Sequence, residues 1–326
     1  MTRLLSAGHT QTPVPLLHTA ELAELLAVAR QMSRQAEARP AHWQINSGQG
    51  RSGFIGRGMD YAESRQYHPG DDVRSMHWTL LARTGKPHVK LHHEEHAAAW
   101  HVLLDLRPAM AFGTRVRTKA QQAARVAILA AAAQARHLPQ SALSATLWTP
   151  SGWSTHALGC GLQAVRRLGA ALSREPLPLP GGAARDLAQD GRAFAAASRL
   201  AVPVQRGALR VVISDFAWLD ETSTAALRRL GADGPLRAVQ IRDPAEATLP
   251  DFVSHADGAW FYDAASGQTG RLAGPAQRQA FATAAHNAAH ATSAALRDMN
   301  AAFSVVPTQD DAKTLWTHLH RPSAAT

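Results

Sequence analysis

The sequence predicts an α/β protein with a doubly wound, mostly parallel sheet that is flanked by helices. Three short segments rich in apolar residues carry this prediction: residues 100–105, 209–214 and 236–241. Each has the length and composition of a strand that is buried on both faces. Helical patterns separate the segments, and an alternation of apolar strands with helices is typical of parallel sheets with right-handed crossovers.

The remaining elements follow from periodicity and turn signals. Residues 1–15 are polar and predict no regular structure, and Thr19 is placed as the N-cap of the first helix. Helices are predicted over residues 16–36, 119–136, 162–172, 185–200, 222–230, 275–299 and 310–319. Further strands are predicted over residues 88–94, 142–148, 153–157, 258–262, 268–272 and 303–306. The sequence thereby divides into a tail and helix (1–37), a small β-rich insert (38–96) and the α/β domain (97–320).

Composition limits the classes of function. The chain has 326 residues and a formal charge of +9, with only four lysines. Residues 51–96 hold seven Arg or Lys and six Asp or Glu, so charge there nearly cancels. Nucleic-acid binders concentrate positive charge on one face, and this stretch does not. The single cysteine, Cys160, rules out an intrachain disulfide, and we expect an incidental thiol in a reducing compartment. No stretch approaches the roughly 20 apolar residues of a membrane span, so we expect a cytoplasmic protein.

The most distinctive stretch is residues 56–90, where charges, aromatics and turn signals are packed together. Its landmarks are Gly58, Asp60, Glu63, Tyr67, Pro69, Gly70, Asp71, Asp72, Arg74, Trp78, Arg83, Thr84 and Gly85. The acids and bases alternate closely, which favours mutual ion pairs that involve Asp71, Asp72, Arg74 and Arg83. We therefore expect this stretch to be a folded insert that braces the α/β domain.

These landmarks occur in the order that is typical of one family. The succession of Gly-Arg-Gly, an acidic pair, Tyr-x-Pro-Gly-Asp-Asp-x-Arg, Trp, Ala-Arg-Thr-Gly and Val-Lys resembles the domain-of-unknown-function 58 family. That resemblance implies a bacterial protein with a von Willebrand factor A-like domain, commonly working beside MoxR-type AAA+ ATPases. It continues more loosely through residues 213–216 and 242–244 to about residue 319.

The resemblance also directs attention to two acids at strand ends. Asp105 and Asp215 follow buried strands, and ligands of open α/β sheets bind at that edge. In von Willebrand A domains this edge carries a metal-ion-dependent adhesion site, built from Asp-x-Ser-x-Ser, a loop threonine and a second aspartate. Here Arg107 and Ala109 stand where the serines would be, and residues 183–186 contain no threonine. We expect a degenerate site in which Arg107 replaces the ion by pairing with Asp105 or Asp215.

Catalytic motifs are weak. Residues 92–96 spell His-x-x-Glu-His, but that zinc motif requires a helix and this segment continues a strand. The sequence lacks a nucleophile elbow, a P-loop and a dinucleotide fingerprint. The scattered tryptophans favour core or rim packing over a stacking platform for bases. We expect no catalytic residue and no cofactor.

The function implied by the resemblance is that of an interaction module. We expect an adaptor or chaperone-like partner of a MoxR-type AAA+ ATPase that acts on a third, client protein and binds no metal. One alternative is a Mg²⁺-dependent adhesion-type domain that holds the ion through Asp105, Asp215 and water. A less favoured alternative is a basic protein associated with nucleic acid.

Overall fold

The computed structural model describes residues 14–36, 55–56, 60–69, 76–93, 99–179, 187–199, 207–247, 259–262, 269–272, 275–299 and 301–320. Within them the helices are α1 (Thr19–Ala36), α2 (Trp78–Thr84), α3 (Lys119–His137), α4 (Gly161–Arg174), α5 (Leu187–Ala197), α6 (Glu221–Ala232), α7 (Pro275–Asp298) and α8 (Ala312–His320). The strands are β1 (Ile55–Gly56), β2 (Asp60–Gln66), β3 (His88–His93), β4 (Ala99–Asp105), β5 (Ala142–Thr149), β6 (Gly152–Cys160), β7 (Leu209–Ser214), β8 (Leu236–Arg242), β9 (Ala259–Tyr262), β10 (Thr269–Leu272) and β11 (Ala302–Pro307). Short 3-10 turns cover Pro108–Ala111 and Pro244–Glu246.

The central sheet has six strands in the order β11-β8-β7-β4-β5-β6. Five of them are parallel, and β6 pairs antiparallel with β5 at one edge. The chain starts in the middle with β4, builds outward through β5 and β6, and then returns to the other side of β4 through β7. This confirms the α/β class and the doubly wound, mostly parallel layout expected of a von Willebrand A-like domain. It also places the order reversal between β4 and β7, where such sheets bind ligands.

Alternation along the buried strands separates two cores. On β4, Val102 and Leu104 belong to one hydrophobic cluster and Leu103 to the other. The first cluster joins the sheet to α1, α3, α4 and α8, and the second joins it to α5, α6 and α7. Since successive side chains on a strand point to opposite faces, both faces of the sheet are covered, as its apolar strands require.

The stretch before the central sheet forms a small sheet of its own. Strand β3 lies between β1 and β2, and both neighbours are antiparallel to it. Residues 92–93 therefore lie in a strand, which is incompatible with the helical geometry that a His-x-x-Glu-His zinc motif needs. Gly85 ends α2 with φ of +67°, the left-handed conformation that favours glycine at a helix end.

Some boundaries differ from those predicted. Thr19 is the first residue of α1 rather than its N-cap, and β6 extends through Cys160, whose side chain is exposed. Strands β9 and β10 form the predicted antiparallel hairpin. Among the described residues, no helix combines the length and apolar character needed to cross a membrane. The predicted domain boundaries at residues 37 and 96 lie outside the residues that the structure describes, so they stay predictions.

Candidate functional site

Three aspartates lie at the carboxyl ends of neighbouring parallel strands. Asp105 is the last residue of β4, Asp215 follows β7, and Asp243 follows β8. Because these strands lie side by side, the topology brings their carboxyl ends to one edge of the sheet. All three side chains are buried or nearly so. Burying a carboxylate is costly unless charge or hydrogen bonds compensate it, so the partners of each acid decide what the edge can do.

Arg107 holds Asp105 through both carboxylate oxygens. Its Nε donates to Oδ1 over 3.0 Å and its Nη2 donates to Oδ2 over 2.8 Å. The backbone N–H of Arg107 adds a third bond to Oδ1, 3.1 Å long. A two-pronged guanidinium–carboxylate pair is the strongest ionic contact available to side chains, and here both partners are buried.

The guanidinium of Arg107 has two further neighbours. Its Nη1 lies 2.5 Å from Oδ2 of Asp190 on α5, an ion pair without the alignment of a hydrogen bond. Its flat face lies 3.6 Å from the ring centroid of Trp148, within the range of a cation–π contact. Burial by itself lowers the pKa of Arg107, but the charges of Asp105, Asp190 and Asp215 outweigh it and raise the pKa above its usual value.

Ser214 links the Asp105 carboxylate to two aromatic residues, Phe216 and Trp218, through hydrogen bonds. The Ser214 hydroxyl donates to Oδ2 of Asp105 over 2.7 Å, and it accepts from the indole N–H of Trp218 over 2.8 Å. It also accepts from the backbone N–H of Phe216 over 3.0 Å. Phe216 has φ of +58°, a strained value for a non-glycine residue. Its buried ring packs against Trp218, and this packing fixes the strained turn in place.

Asp215 has a different cation, Lys119. The ammonium group at the start of α3 donates to Oδ2 of Asp215 and to Oε1 of Glu246, each over 2.7 Å. Oδ1 of Asp215 accepts from the backbone N–H of Ala217 over 3.1 Å. Burial raises the pKa of Asp215, but Lys119, Ala217 and the more distant Arg107 together lower it below the usual value. The acid is therefore charged and internally neutralised.

Asp243 is satisfied by hydroxyl and backbone groups. Its Oδ1 accepts from the Thr114 hydroxyl over 2.5 Å, and its Oδ2 accepts from the Thr308 hydroxyl over 2.8 Å. The backbone N–H groups of Thr114 and Ala245 donate to the same carboxylate, each over 3.0 Å. Burial raises the pKa of Asp243, and these hydrogen bonds more than reverse the effect. The acid joins three loops at this edge.

The donor set at this edge does not suit Mg²⁺. A hard ion needs about six oxygen ligands in near-octahedral geometry. Both oxygens of Asp105 and one oxygen of Asp215 are held by cationic groups within the chain. In the part of the chain that the structure describes, no group of three His, Cys, Asp or Glu side chains is placed to hold a metal. The strand-end acids and their cations, Arg107 and Lys119, form a network of internal ion pairs, here called the ionic lattice. It lies beside the rings of Trp148 and Trp218.

Comparison with known proteins identifies the family. The family described as "Protein of unknown function DUF58" matches residues 63–291. The chain belongs to the DUF58 family. Uncharacterized proteins of Mycobacterium bovis and Mycobacterium tuberculosis are 30% identical to this DUF58 protein, over 72% of the chain and 69% of each relative. A solved structure titled "von Willebrand factor type A from Catenulispora acidiphila" matches with 13% identity and a TM-score of 0.33, over 69% of this chain and 41% of that one.

The structure places the sequence-predicted site residues of the DUF58 protein in two groups. Asp105, Arg107 and Asp215 meet at the strand ends as described above, and Ala109 lies in the adjacent 3-10 turn without a polar role. Sequence reasoning missed most of the partners at this edge, among them Lys119, Asp190, Ser214 and Glu246. It also passed over the role of Asp243, which the same strand-end rule would have identified because the residue directly follows β8.

The motif residues of the insert are only partly described. Gly58, Gly70, Asp71, Asp72 and Arg74 lie outside the described residues, so the expected ion pairs stay a prediction. The backbones of Asp60 and Glu63 lie in β2, and Tyr67 and Pro69 follow it. Arg83 and Thr84 are exposed residues of α2.

Trp78 corrects the expectation that the tryptophans pack in the core or its rim. It begins α2 and is 60% exposed, and α2 buries none of its residues. Trp100, Trp148, Trp218 and Trp316 are buried as expected. The physical reason for the difference is that α2 is a two-turn helix that, within the described part of the chain, packs mainly against β3.

His101, in the middle of β4, should make the fold sensitive to acid. Its ring is buried, Nδ1 lies 2.8 Å from the Ser144 hydroxyl, and Nε2 has no hydrogen-bond partner among the residues that the structure describes. Burial first, and then the charge of Arg210, lower its pKa from 6.5 to about 4. Between these values the unfolded chain binds a proton that the folded chain does not. The contribution of His101 to the free energy of unfolding should therefore fall by about 3 kcal/mol as the pH drops from 6.5 towards 4.

Urea unfolding from pH 7 to pH 4 measures this dependence. His101→Asn should flatten the curve over the window because it removes the titrating ring. Ser144→Ala is the matched control, since it removes the hydrogen-bond partner but keeps the histidine, and it should lower stability with the slope unchanged. Equal slopes for the parent chain and His101→Asn would contradict the assignment.

Proposed function

We propose that this DUF58 protein is a non-enzymatic interaction module, the adaptor or chaperone-like partner of a MoxR-type AAA+ ATPase for a client protein. Its adhesion site is metal-free. The observation that carries the proposal is the neutralisation of the two strand-end acids by built-in cations, Arg107 for Asp105 and Lys119 for Asp215. An adhesion site that works through a metal leaves oxygen ligands open to the ion, and here cationic side chains take that place.

The same lattice argues against catalysis at this edge. A general acid or base must exchange protons near the working pH, so its pKa lies near that pH. The pKa of Asp215 is lowered, and Arg107 and Lys119 both have raised values. Groups held in fixed charge states within mutual ion pairs stabilise a surface and do not transfer protons. Partner binding then depends on direct polar and apolar contacts around a rigid edge.

Trp78 supplies a second contact surface for the partner. A large aromatic ring that is mostly exposed has the chemistry of an interface hot spot, since tryptophan is enriched among the residues that dominate binding energy. It lies in the stretch whose motif indicates the family. We infer that the ring is covered in the complex with the ATPase rather than in the free protein.

Binding to the ATPase tests the metal-free proposal. The immobilised chain should retain the nucleotide-free MoxR-type ATPase equally with Mg²⁺ and with EDTA, because chelation then acts only on ions held by the chain. The melting temperature of the isolated chain should be the same in both buffers. Retention that disappears in EDTA, or a Mg²⁺-dependent rise in melting temperature, would favour the Mg²⁺-dependent adhesion domain instead.

The variant Trp78→Ala tests the second surface in the same assay. We expect it to weaken ATPase binding by at least about tenfold, as hot-spot truncations do, with the melting temperature nearly unchanged because the ring is exposed. Val305→Ala, at an exposed apolar position on the edge strand β11, is the matched control and should leave binding unchanged. Unaltered binding by Trp78→Ala would remove α2 from the interface.

A further inference from the structure

A small pocket on the helical face of the domain is surrounded by three arginines. Arg30 of α1, Arg136 of α3 and Arg166 of α4 line it, one from each of three neighbouring helices. Arg30 and Arg166 are exposed, and Arg136 is half-buried. Lys119 and Arg136 are both on α3, 17 residues apart, which at 1.5 Å per residue is roughly 25 Å. The pocket is therefore remote from the strand-end acids.

These arginines have no acidic counterpart in the pocket. The lining contains no Asp or Glu, and within the described ranges none of the three forms an ion pair or a side-chain hydrogen bond. By contrast, another arginine on the same two helices has an acidic partner: Arg125 of α3 forms an ion pair with Glu21 of α1. Three like charges around one depression repel each other, so an anionic ligand would relieve a repulsion that the chain itself leaves uncompensated.

The floor between the arginines is aliphatic. It is formed by Leu26, Ala29, Ala132 and Leu162. Leu162 is 42% exposed, an unusual position for a leucine beside two exposed arginines. An apolar floor with a cationic rim fits a ligand that has an apolar group flanked by negative charge. A free phosphate supplies the charge but has nothing to place on the floor.

We propose that this three-arginine pocket binds an acidic segment of a partner protein, with an apolar side chain on the floor and carboxylates on the arginines. Guanidinium groups bind carboxylates through two parallel hydrogen bonds, so three arginines from three helices fix the orientation of the segment. A nucleic acid would require aromatic rings for stacking or a longer cationic groove, and the lining has neither. None of the lining residues belongs to α2 or to the strand-end acids and their partners.

Fluorescence anisotropy of a labelled synthetic peptide, Glu-Asp-Leu-Asp-Glu, tests the proposal on the full chain. The peptide should bind, and its neutral counterpart Gln-Asn-Leu-Asn-Gln should not. Replacing the central leucine by alanine should weaken binding by about fivefold, because a buried apolar side chain is shortened. The triple variant Arg30→Gln, Arg136→Gln, Arg166→Gln should weaken it by at least about tenfold.

The matched control removes the same charge elsewhere. Arg199→Gln, Arg228→Gln, Arg229→Gln changes three exposed arginines on the other face of the sheet and should alter binding by less than about twofold. Unchanged melting temperatures would show that both variants fold. Equal losses in the two triple variants, equal binding of the neutral peptide, or no binding of the acidic peptide would overturn the proposal. The proposal would also be overturned if binding of an RNA oligonucleotide or an anionic vesicle depended on the three arginines and binding of the peptide did not.

Discussion

Replacing Arg107 by methionine should lower the free energy of unfolding by about 3–5 kcal/mol, the usual cost of removing one partner from a buried ion pair. The variant leaves the Asp105 carboxylate buried with one hydroxyl and one backbone N–H as its remaining donors. It also removes the guanidinium that faces Asp190 and lies on Trp148. Methionine retains much of the length and apolar stem of arginine, so the loss reports mainly on charge. Urea unfolding at neutral pH measures it.

Two further variants make that result specific. Arg115→Met changes an exposed arginine in the loop before α3 and should change stability by no more than about 0.5 kcal/mol. Combining Arg107→Met with Asp105→Asn should recover part of the loss, because the amide no longer leaves a buried negative charge without a partner. A loss below about 1 kcal/mol for Arg107→Met would mean that the pair is not a structural replacement for an ion.

The fold could be predicted from the sequence because its strands are buried on both faces. Residues 209–214 were predicted with their observed limits, since a run of apolar residues between helical patterns has few other interpretations. The sequence predicts the antiparallel edge strand β6 too short, because Leu158 alone of its nine residues is buried and the apolar pattern is therefore weak. Helix α1 begins at residue 19 rather than 16, and α5 ends at residue 197 rather than 200, a difference that is usual at helix ends.

The strand-end acids could be predicted by the same logic, but most of their partners could not. The carboxyl ends of the parallel strands β4 and β7 must lie at the same edge of the sheet, and Arg107 is only two residues from Asp105 in the sequence. Lys119 reaches Asp215 only because the loop after β4 places the first residue of α3 over the neighbouring strand. Glu246 and Asp190 likewise depend on the paths of loops. Such paths are set by tertiary packing and have no periodicity for a sequence pattern to detect.

Trp78 shows the limit of composition as a guide. A tryptophan is highly buried on average, so packing was the reasonable expectation for each one. Whether a tryptophan is exposed depends on how much surface the neighbouring elements offer to the helix or strand that carries it. Helix α2 is seven residues long and, among the described elements, packs mainly against strand β3 of the three-stranded sheet, which leaves the Trp78 ring exposed.

Lys119→Met should be as damaging as the loss of Arg107, about 3–5 kcal/mol at neutral pH. The Lys119 side chain is 5% exposed, and its ammonium group neutralises Asp215, whose side chain is 6% exposed, as well as Glu246. Lys313→Met is the matched control, because it makes the same substitution at an exposed position near the start of α8, and it should have little effect.

The pH dependence of that loss separates charge from packing. In the parent chain the pKa of Asp215 is lowered, so its ionised form stabilises the fold above the usual aspartate range, and this stabilisation is lost as the pH falls through the lowered value. Without Lys119, burial is the largest influence and should raise the pKa of Asp215. A raised pKa favours the fold at low pH and opposes it as the pH rises. The stability difference between parent and Lys119→Met should therefore shrink between pH 7 and pH 4. A difference that is constant across this range would assign the role of Lys119 to packing of its aliphatic stem rather than to its charge.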